Sequence, residues 1–175
     1  MKGQYHPIHK SAVIFDNVVL GKDVFIGANA VIGAPAEVKG HQQISRGKVI
    51  IRDNTIIREC VTVHSPRADE GCTVIGDNCY IQAHSHIGHD AKIGNNVTIA
   101  CHALVGGHVV LEDHVNLALH AVTHPRTIIR KGTLLGCNSF AKGELKAWSI
   151  YVGTPAKWKK WNNHLREKLG LEPLE

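Results

Sequence analysis

From Ile75 onward an aliphatic side chain returns at every sixth position, through Ile81, Ile87, Ile93, Ile99, Val105, Leu111 and Leu117. The same beat runs earlier through Ile8, Ile14, Leu20, Ile26 and Ile32, and then through Ile51, Ile57 and Val63. It blurs at Thr123 and comes back at Ile129 and Leu135. Small or β-branched residues (Ala12, Val18, Val24, Ala30) stand four places after the first aliphatic positions, and Gly often follows one directly, as in Ile26-Gly27 and Ile93-Gly94. A period of six is neither the 3.6 of a helix nor the alternation of one long strand. It suits short strands joined by tight turns, with the aliphatic residue pointing in and small residues at crowded corners. Three hexapeptides close one triangular coil of eighteen residues, and stacked coils form parallel sheets about 4.8 Å apart. The expected fold is all-β, a parallel β-helix over roughly residues 8–152.

The register slips by one position between Ile32 and Ile51, so residues 34–48, "APAEVKGHQQISRGK", are expected to leave the coil as a loop. Residues 65–74, "SPRADEGCTV", keep the phase without aliphatic repeats and are expected to bulge as well. Loops on a rigid scaffold are common carriers of binding residues. Beyond "IYVGTPAK", Trp158, Trp161, Leu165 and Leu169 recur at near-helical spacing. That spacing predicts a C-terminal helix stopped at Gly170, placed to cover the open strand edges of the last coil. The organisation is one β-helix domain, 1–154, followed by a helix and tail, 155–175.

Composition excludes several classes. Apolar residues make up 43% of the chain, in no run long enough to span a membrane, and Met1–Tyr5 lacks a hydrophobic signal region. A soluble, cytoplasmic protein without membrane insertion is expected. Five cysteines with no C-x-x-C pair argue for reduced thiols over a disulfide framework or zinc knuckle. A net charge of +5 favours phosphate-bearing ligands or an acidic carrier protein. Without an aromatic stacking platform among the basic residues, nucleic acid is not expected as a partner.

Thirteen histidines are many for 175 residues. Spacing by eighteen stacks His84, His102 and His120 in one corner column, Asp90, His108 and Arg126 in a second, and Asn78, Asn96 and His114 in a third, so most are expected to be structural. "IQAHSHIGHDAKIG", residues 81–94, nevertheless concentrates His84, His86, His89 and Asp90. A His beside a carboxylate suits general-base chemistry near neutral pH. A zinc site is the competing reading, because the five-residue step from His84 to His89 is similar to the paired histidines of γ-class carbonic anhydrases. His64 would then be the third ligand and water would hold the open position. The Arg, Asp and Gln-Asp expected around the earlier His are missing from "RECVTVHSP", and His86 and Asp90 have no part in that site.

The repeat resembles the hexapeptide-repeat family of left-handed parallel β-helices. Within it, "RDNTIIRECVTVHSP" and "GDNCYIQAHSHIGHDAKIGNNVTIACHALVGGHVVLEDH" resemble the UDP-N-acetylglucosamine acyltransferases of lipid A (lipopolysaccharide) synthesis over residues 50–124, with "HIGHD" the most specific element. The resemblance implies that His89 is the general base, with Asp90 beside it. "GHV" implies Gly107, whose backbone N–H would stabilise the oxyanion, and His108. His64, His86 and His124 correspond to further substrate-site histidines. "EVK", similar to the family's "DLK", makes Glu37 and Lys39 sugar contacts.

Other features depart from those enzymes. They carry a long helical C-terminal domain, whereas here the coil is followed only by a short segment. Pro125 follows His124 where they have Gln, and Cys137 stands where Gly commonly lines their acyl-chain groove. "YVGTPAKW" is similar instead to the ending of smaller sugar acetyltransferases that use acetyl-CoA. The combined resemblance implies a homotrimer with active sites between subunits. It would move a short acyl group, acetyl above all, from acetyl-CoA or another acyl-CoA to an amine or hydroxyl of a sugar or nucleotide sugar. Lys142 and Gly153 would lie near the donor, and no metal is expected. Transfer from acyl carrier protein, as in a UDP-N-acetylglucosamine-type enzyme, is the alternative within the family. A zinc-dependent anhydrase-like enzyme and a non-enzymatic scaffold are the alternatives outside it.

Overall fold

The residues on the six-residue beat form the interior. Ile26, Ile32, Ile51, Ile57, Ile75, Ile81, Ile87, Ile99, Leu111, Leu117, Ile129 and Leu135 are fully buried in one continuous core. Each such side chain contributes about 1.5–3 kcal/mol relative to exposure. The computed structural model describes residues 7–40, 42–43 and 46–175. The Met1–Tyr5 segment of the expected β-helix domain, and His41, Ile44 and Ser45 of the first expected loop, lie outside the described residues.

Strands mostly two residues long assemble into three parallel sheets wound as a left-handed β-helix. One sheet runs from Val13–Ile14 to Phe140–Ala141, the second from Val18–Leu20 to Glu144–Leu145, and the third from Phe25–Ile26 to Ser149–Val152. Through the middle of the coil, register partners are eighteen residues apart, as with Ile87 and Val105 or Ile93 and Leu111. Thr123 keeps the inward position at which the aliphatic beat blurs. It is fully buried, and its hydroxyl lies 3.3 Å from both the Gly106 N–H and the Leu104 carbonyl.

Most corners of the described coil end on a residue in the left-handed region. From Asn78 to Arg126 this is every sixth residue, with φ between 55° and 66°. Asn, Asp and His enter that region more readily than most residues, which accounts for His84, His102, His108, His114 and His120 without any chemistry. The expected column is present: His84 stacks on His102 and His102 on His120, with ring centroids 4.9 Å apart.

Two insertions interrupt the coil. Ile32 pairs with Val63, 31 residues on, so thirteen residues leave between the strands Val31–Ala34 and Lys48–Ile51. Ile57 pairs with Ile81, 24 residues on, so six extra residues enter between Thr62–His64 and Cys72–Ile75. The second loop therefore ends sooner than the expected 65–74, because Cys72–Ile75 is a strand. The two loops pack together, the Lys48 N–H donating to the Gly71 carbonyl at 3.2 Å and the Arg46 N–H to Asp69 Oδ1 at 3.0 Å.

The last coil is shorter than the others. Ile129 pairs with Leu145 and Leu135 with Tyr151, sixteen residues apart. The C-terminal segment also differs from the long helix that the Trp and Leu spacing predicts. Lys157–Trp161 is a strand antiparallel to Ser149–Val152, and the helix is confined to Asn163–Lys168, ahead of Gly170 at φ 69°. Trp158 and Trp161 fit helical spacing, but the free edge of the third sheet offers their backbone a pairing partner. A strand, not the helix, covers that edge. No described helix is long and apolar enough to cross a membrane.

Candidate active site

The thirteen-residue insertion brings Glu37 against the outward side chains of the first sheet. Because Ile87 and Val63 point inward, their neighbours His86 and His64 point out. His86 Nε2 lies 3.0 Å from Glu37 Oε2, and its Nδ1 lies 2.9 Å from Thr62 Oγ1. His64 Nδ1 donates to the Pro35 carbonyl at 2.6 Å, and its Nε2 faces Glu37 Oε1 at 3.6 Å. The two rings are 5.1 Å apart. Burial pushes the His86 imidazole below its ordinary range. Glu37 opposes that shift, while His64 and His89 add to it.

His89 and Asp90 occupy the corner that follows Ile87 and Gly88. His89 Nδ1 is 2.8 Å from Asp90 Oδ2. Partial burial alone would raise the Asp90 carboxyl. The Arg67 N–H at 2.9 Å, the His89 bond and the fields of His108 and His89 outweigh it, holding Asp90 below the usual carboxylate range. An ionised carboxylate only accepts, so His89 Nδ1 donates and its Nε2 keeps the lone pair. Nε2 faces Gly107, where a Cβ would stand only 2.6 Å away. Gly107 is buried, and its N–H has no acceptor among the described residues. A buried, unpaired amide is costly, and a ligand oxygen would relieve it.

His108 closes this corner. Its ring meets His89 edge-on at 5.0 Å, and its Nε2 is 3.8 Å from Asp90 Oδ2. Burial pushes His108 below its ordinary range; Arg126, His89 and Arg67 push the same way and Asp90 opposes them.

The remaining expected residues lie farther out. His124 bonds the Pro125 carbonyl at 3.0 Å and meets Phe140 edge-on. Lys39 is exposed on the loop that carries Glu37. Lys142 is exposed and continues the column Gly88, Gly106, His124, three coils or about 14 Å beyond Gly88. Gly153 is exposed at φ 97°, on the corner that carries the His84–His102–His120 column rather than that of His89. His84 shares that separate corner, so within one chain it does not converge with His89 on a zinc ion. Three contributors carry no motif of their own. Thr62 holds His86, Arg67 acts through its backbone N–H, and Thr73 Oγ1 accepts the Asp90 N–H at 2.9 Å.

Residues 72–107 match the family described as bacterial transferase hexapeptide (six repeats). No curated protein sequence matches the chain. Among solved structures, the chain is similar to a UDP-N-acetylglucosamine acyltransferase from Campylobacter jejuni, at 25% identity and a TM-score of 0.76, over 92% of this chain and 77% of that one. It is also similar to LpxA, a UDP-N-acetylglucosamine acyltransferase from Bacteroides fragilis, at 24% identity and a TM-score of 0.88, over 94% of this chain and 64% of that one. A third is AntD, an N-acyltransferase from Bacillus cereus in complex with dTDP and coenzyme A, at 19% identity and a TM-score of 0.54, over 93% and 86%.

Proposed function

We propose that the chain, whose residues 72–107 match the bacterial transferase hexapeptide family, is an acyltransferase carrying a short acyl group, acetyl above all, from acyl-CoA to an amine or hydroxyl of a sugar or nucleotide sugar. The observation that carries this reading is the line from Asp90 through His89 to Gly107: a carboxylate on Nδ1, a bare Nε2, and a buried N–H without an acceptor beside it.

The chemistry follows from that line. His89 Nε2 takes the proton of the acceptor as its nitrogen or oxygen attacks the thioester carbonyl. Asp90 stabilises the imidazolium so formed and keeps its tautomer fixed. The Gly107 N–H donates to the developing oxyanion, an interaction worth roughly 3 kcal/mol in comparable sites. Collapse of the tetrahedral intermediate expels the thiolate, which recovers the proton from His89. No acyl-enzyme forms, so the cysteines take no part. Glu37, Lys39, His64, His86, His108 and His124 line the acceptor side. Lys142 and Gly153 hold the donor across a homotrimer interface, in keeping with their placement on different corners of one chain.

A second reading, transfer from acyl carrier protein to UDP-N-acetylglucosamine, draws on the likeness to the Campylobacter and Bacteroides enzymes. The nucleotide and coenzyme A of the AntD complex favour the first. Mass spectrometry of products, after incubation with acetyl-CoA or acyl carrier protein and a panel of nucleotide-linked amino sugars, separates the two. Replacing His89 with Ala should cut transfer at least a hundredfold, about the lower bound for a lost general base, in a protein with an unchanged circular dichroism spectrum. Undiminished turnover would remove the mechanism.

A further inference from the structure

The cluster beside the base holds an unresolved electrostatic contact. The Pro35 carbonyl can only accept, so the 2.6 Å contact fixes the proton of neutral His64 on Nδ1. The bare Nε2 lone pair then faces a Glu37 carboxylate oxygen 3.6 Å away. Either a proton on Nε2 or a bound cation relieves that approach. His86 brings a third atom to the same point: its Nε2 is 3.0 Å from the other Glu37 oxygen, while Thr62 occupies its Nδ1. One atom from each of Glu37, His64 and His86 lies within 4.8 Å of the other two.

We infer that Glu37, His64 and His86 form a binding site for one divalent transition ion of the zinc type, which ties the thirteen-residue loop to the coil. Two imidazoles and a carboxylate are a borderline ligand set that suits Zn²⁺ or Co²⁺ and leaves the hard ions Mg²⁺ and Ca²⁺ poorly held. Ligand atoms about 2.0–2.2 Å from a tetrahedral zinc are about 3.3 Å from each other. His64 and His86 lie 3.6 and 3.0 Å from the two different oxygens of Glu37, so the carboxylate would bind through both or turn to offer one. Both histidines already have the outer partner that ligating histidines usually have, a carbonyl for His64 and a hydroxyl for His86. The neighbouring group of His89, Asp90 and His108 is a poorer candidate. The Asp90 oxygen that faces His89 also accepts the Arg67 N–H at 2.9 Å, which leaves it less free to take an ion.

Glu37, His64 and His86 are acceptor contacts under the proposed function, so metal and acceptor would compete. That consequence rests on the acyltransferase reading, whereas the site itself does not. The test therefore uses chelator-treated full-length protein with neither donor nor acceptor present. Zn²⁺ is titrated calorimetrically, and Co²⁺ by its visible ligand-field bands. The expected result is one ion per chain, with affinity lowered at least tenfold in Glu37→Gln and His64→Gln, and about tenfold in Thr62→Val, where only the outer partner is lost. His102→Ala and His108→Ala should bind as the parent does. No stoichiometric binding, binding that survives Glu37→Gln, or loss in His102→Ala or His108→Ala would each overturn the assignment. Circular dichroism separates lost affinity from lost fold, and Glu37→Gln, on an exposed loop, leaves the core untouched.

Discussion

Gly107→Ala is the sharpest probe of the proposed base. Gly107 is not among the residues with positive φ, so its backbone accommodates Ala without strain. The new methyl would stand 2.6, 2.9 and 3.0 Å from Nε2, Cε1 and Cδ2 of His89. Ordinary contact begins near 3.4 Å, so the imidazole must retreat by about 0.8 Å. A retreat of that size moves Nε2 from its place and strains the 2.8 Å bond to Asp90. Even outright loss of that bond would cost no more than about 1.5–3 kcal/mol, and replacing Gly with Ala returns about 0.4–1 kcal/mol through the unfolded state. The net destabilisation is at most about 2.5 kcal/mol, small enough to leave the protein folded. Misplacing a reacting group by about 1 Å costs about a hundredfold in rate. Steady-state transfer assays should therefore show kcat down about a hundredfold, with a modest loss in thermal midpoint. The effect should vanish in a His89→Ala background, because both changes act through one imidazole. A Gly107→Ala enzyme with at least half the parent kcat, or a loss fully additive with His89→Ala, would refute the placement of Nε2 as the base.

Asp90→Asn should lower kcat without abolishing binding of acyl-CoA, since an amide can hold the wrong His89 tautomer; isothermal titration against the kcat measurement separates the two effects. Stability should fall in two steps on acidification. His108 lies below its ordinary range through burial, so below about pH 6.5 the unfolded chain binds protons first and stability declines until pH reaches the folded value. Asp90 is also held low, so its contribution is present above about pH 4 and lost as pH falls through its folded value. Thermal midpoints against pH should show a smaller acid step in Asp90→Asn than in the parent, the remainder coming from Glu59 and Glu112, which are also held low. Burial pushes the Cys79 thiol up to about 11, so a thiol reagent at pH 8 should leave it unmodified until the protein unfolds; rapid native labelling, read by peptide mass spectrometry, would contradict its placement. Ile87→Ala should cost about 2–5 kcal/mol in denaturant unfolding, the range for a large-to-small change in a packed core.

The aliphatic beat made the coil legible because each beat residue has one fate, burial. What the beat could not convey were changes in coil length that preserve it or fall where it is weak. The six-residue insertion after His64 leaves the phase intact, and Leu145 comes two places early in "KGELKAW", where no flanking repeat marks the change. Trp158 and Trp161 misled because strand pairing with Ser149–Val152 is a tertiary fact, while their spacing is local. At the site, His89 and Asp90 are adjacent in the chain and their pairing was open to inspection. Glu37 was reachable only through family resemblance, since a loop and two coil turns separate it from His64 and His86. Arg67 could not be found at all, because it works through a backbone N–H that any residue but proline supplies.

The two insertions have a consequence for how such a protein can change its preferences. Both rejoin the coil in register, with only a local irregularity between Ile32 and Ala34 where the first one leaves, so their length and chemistry are largely free of the constraints that fix the beat. The rungs supply His89 and Gly107, and the appendages supply Glu37 and the amide on Asp90. Under the proposed function, recognition and bond-making thus reside in parts that can be exchanged separately. A transplanted loop could redirect the enzyme to a new acceptor while the reacting groups stay where the ladder put them.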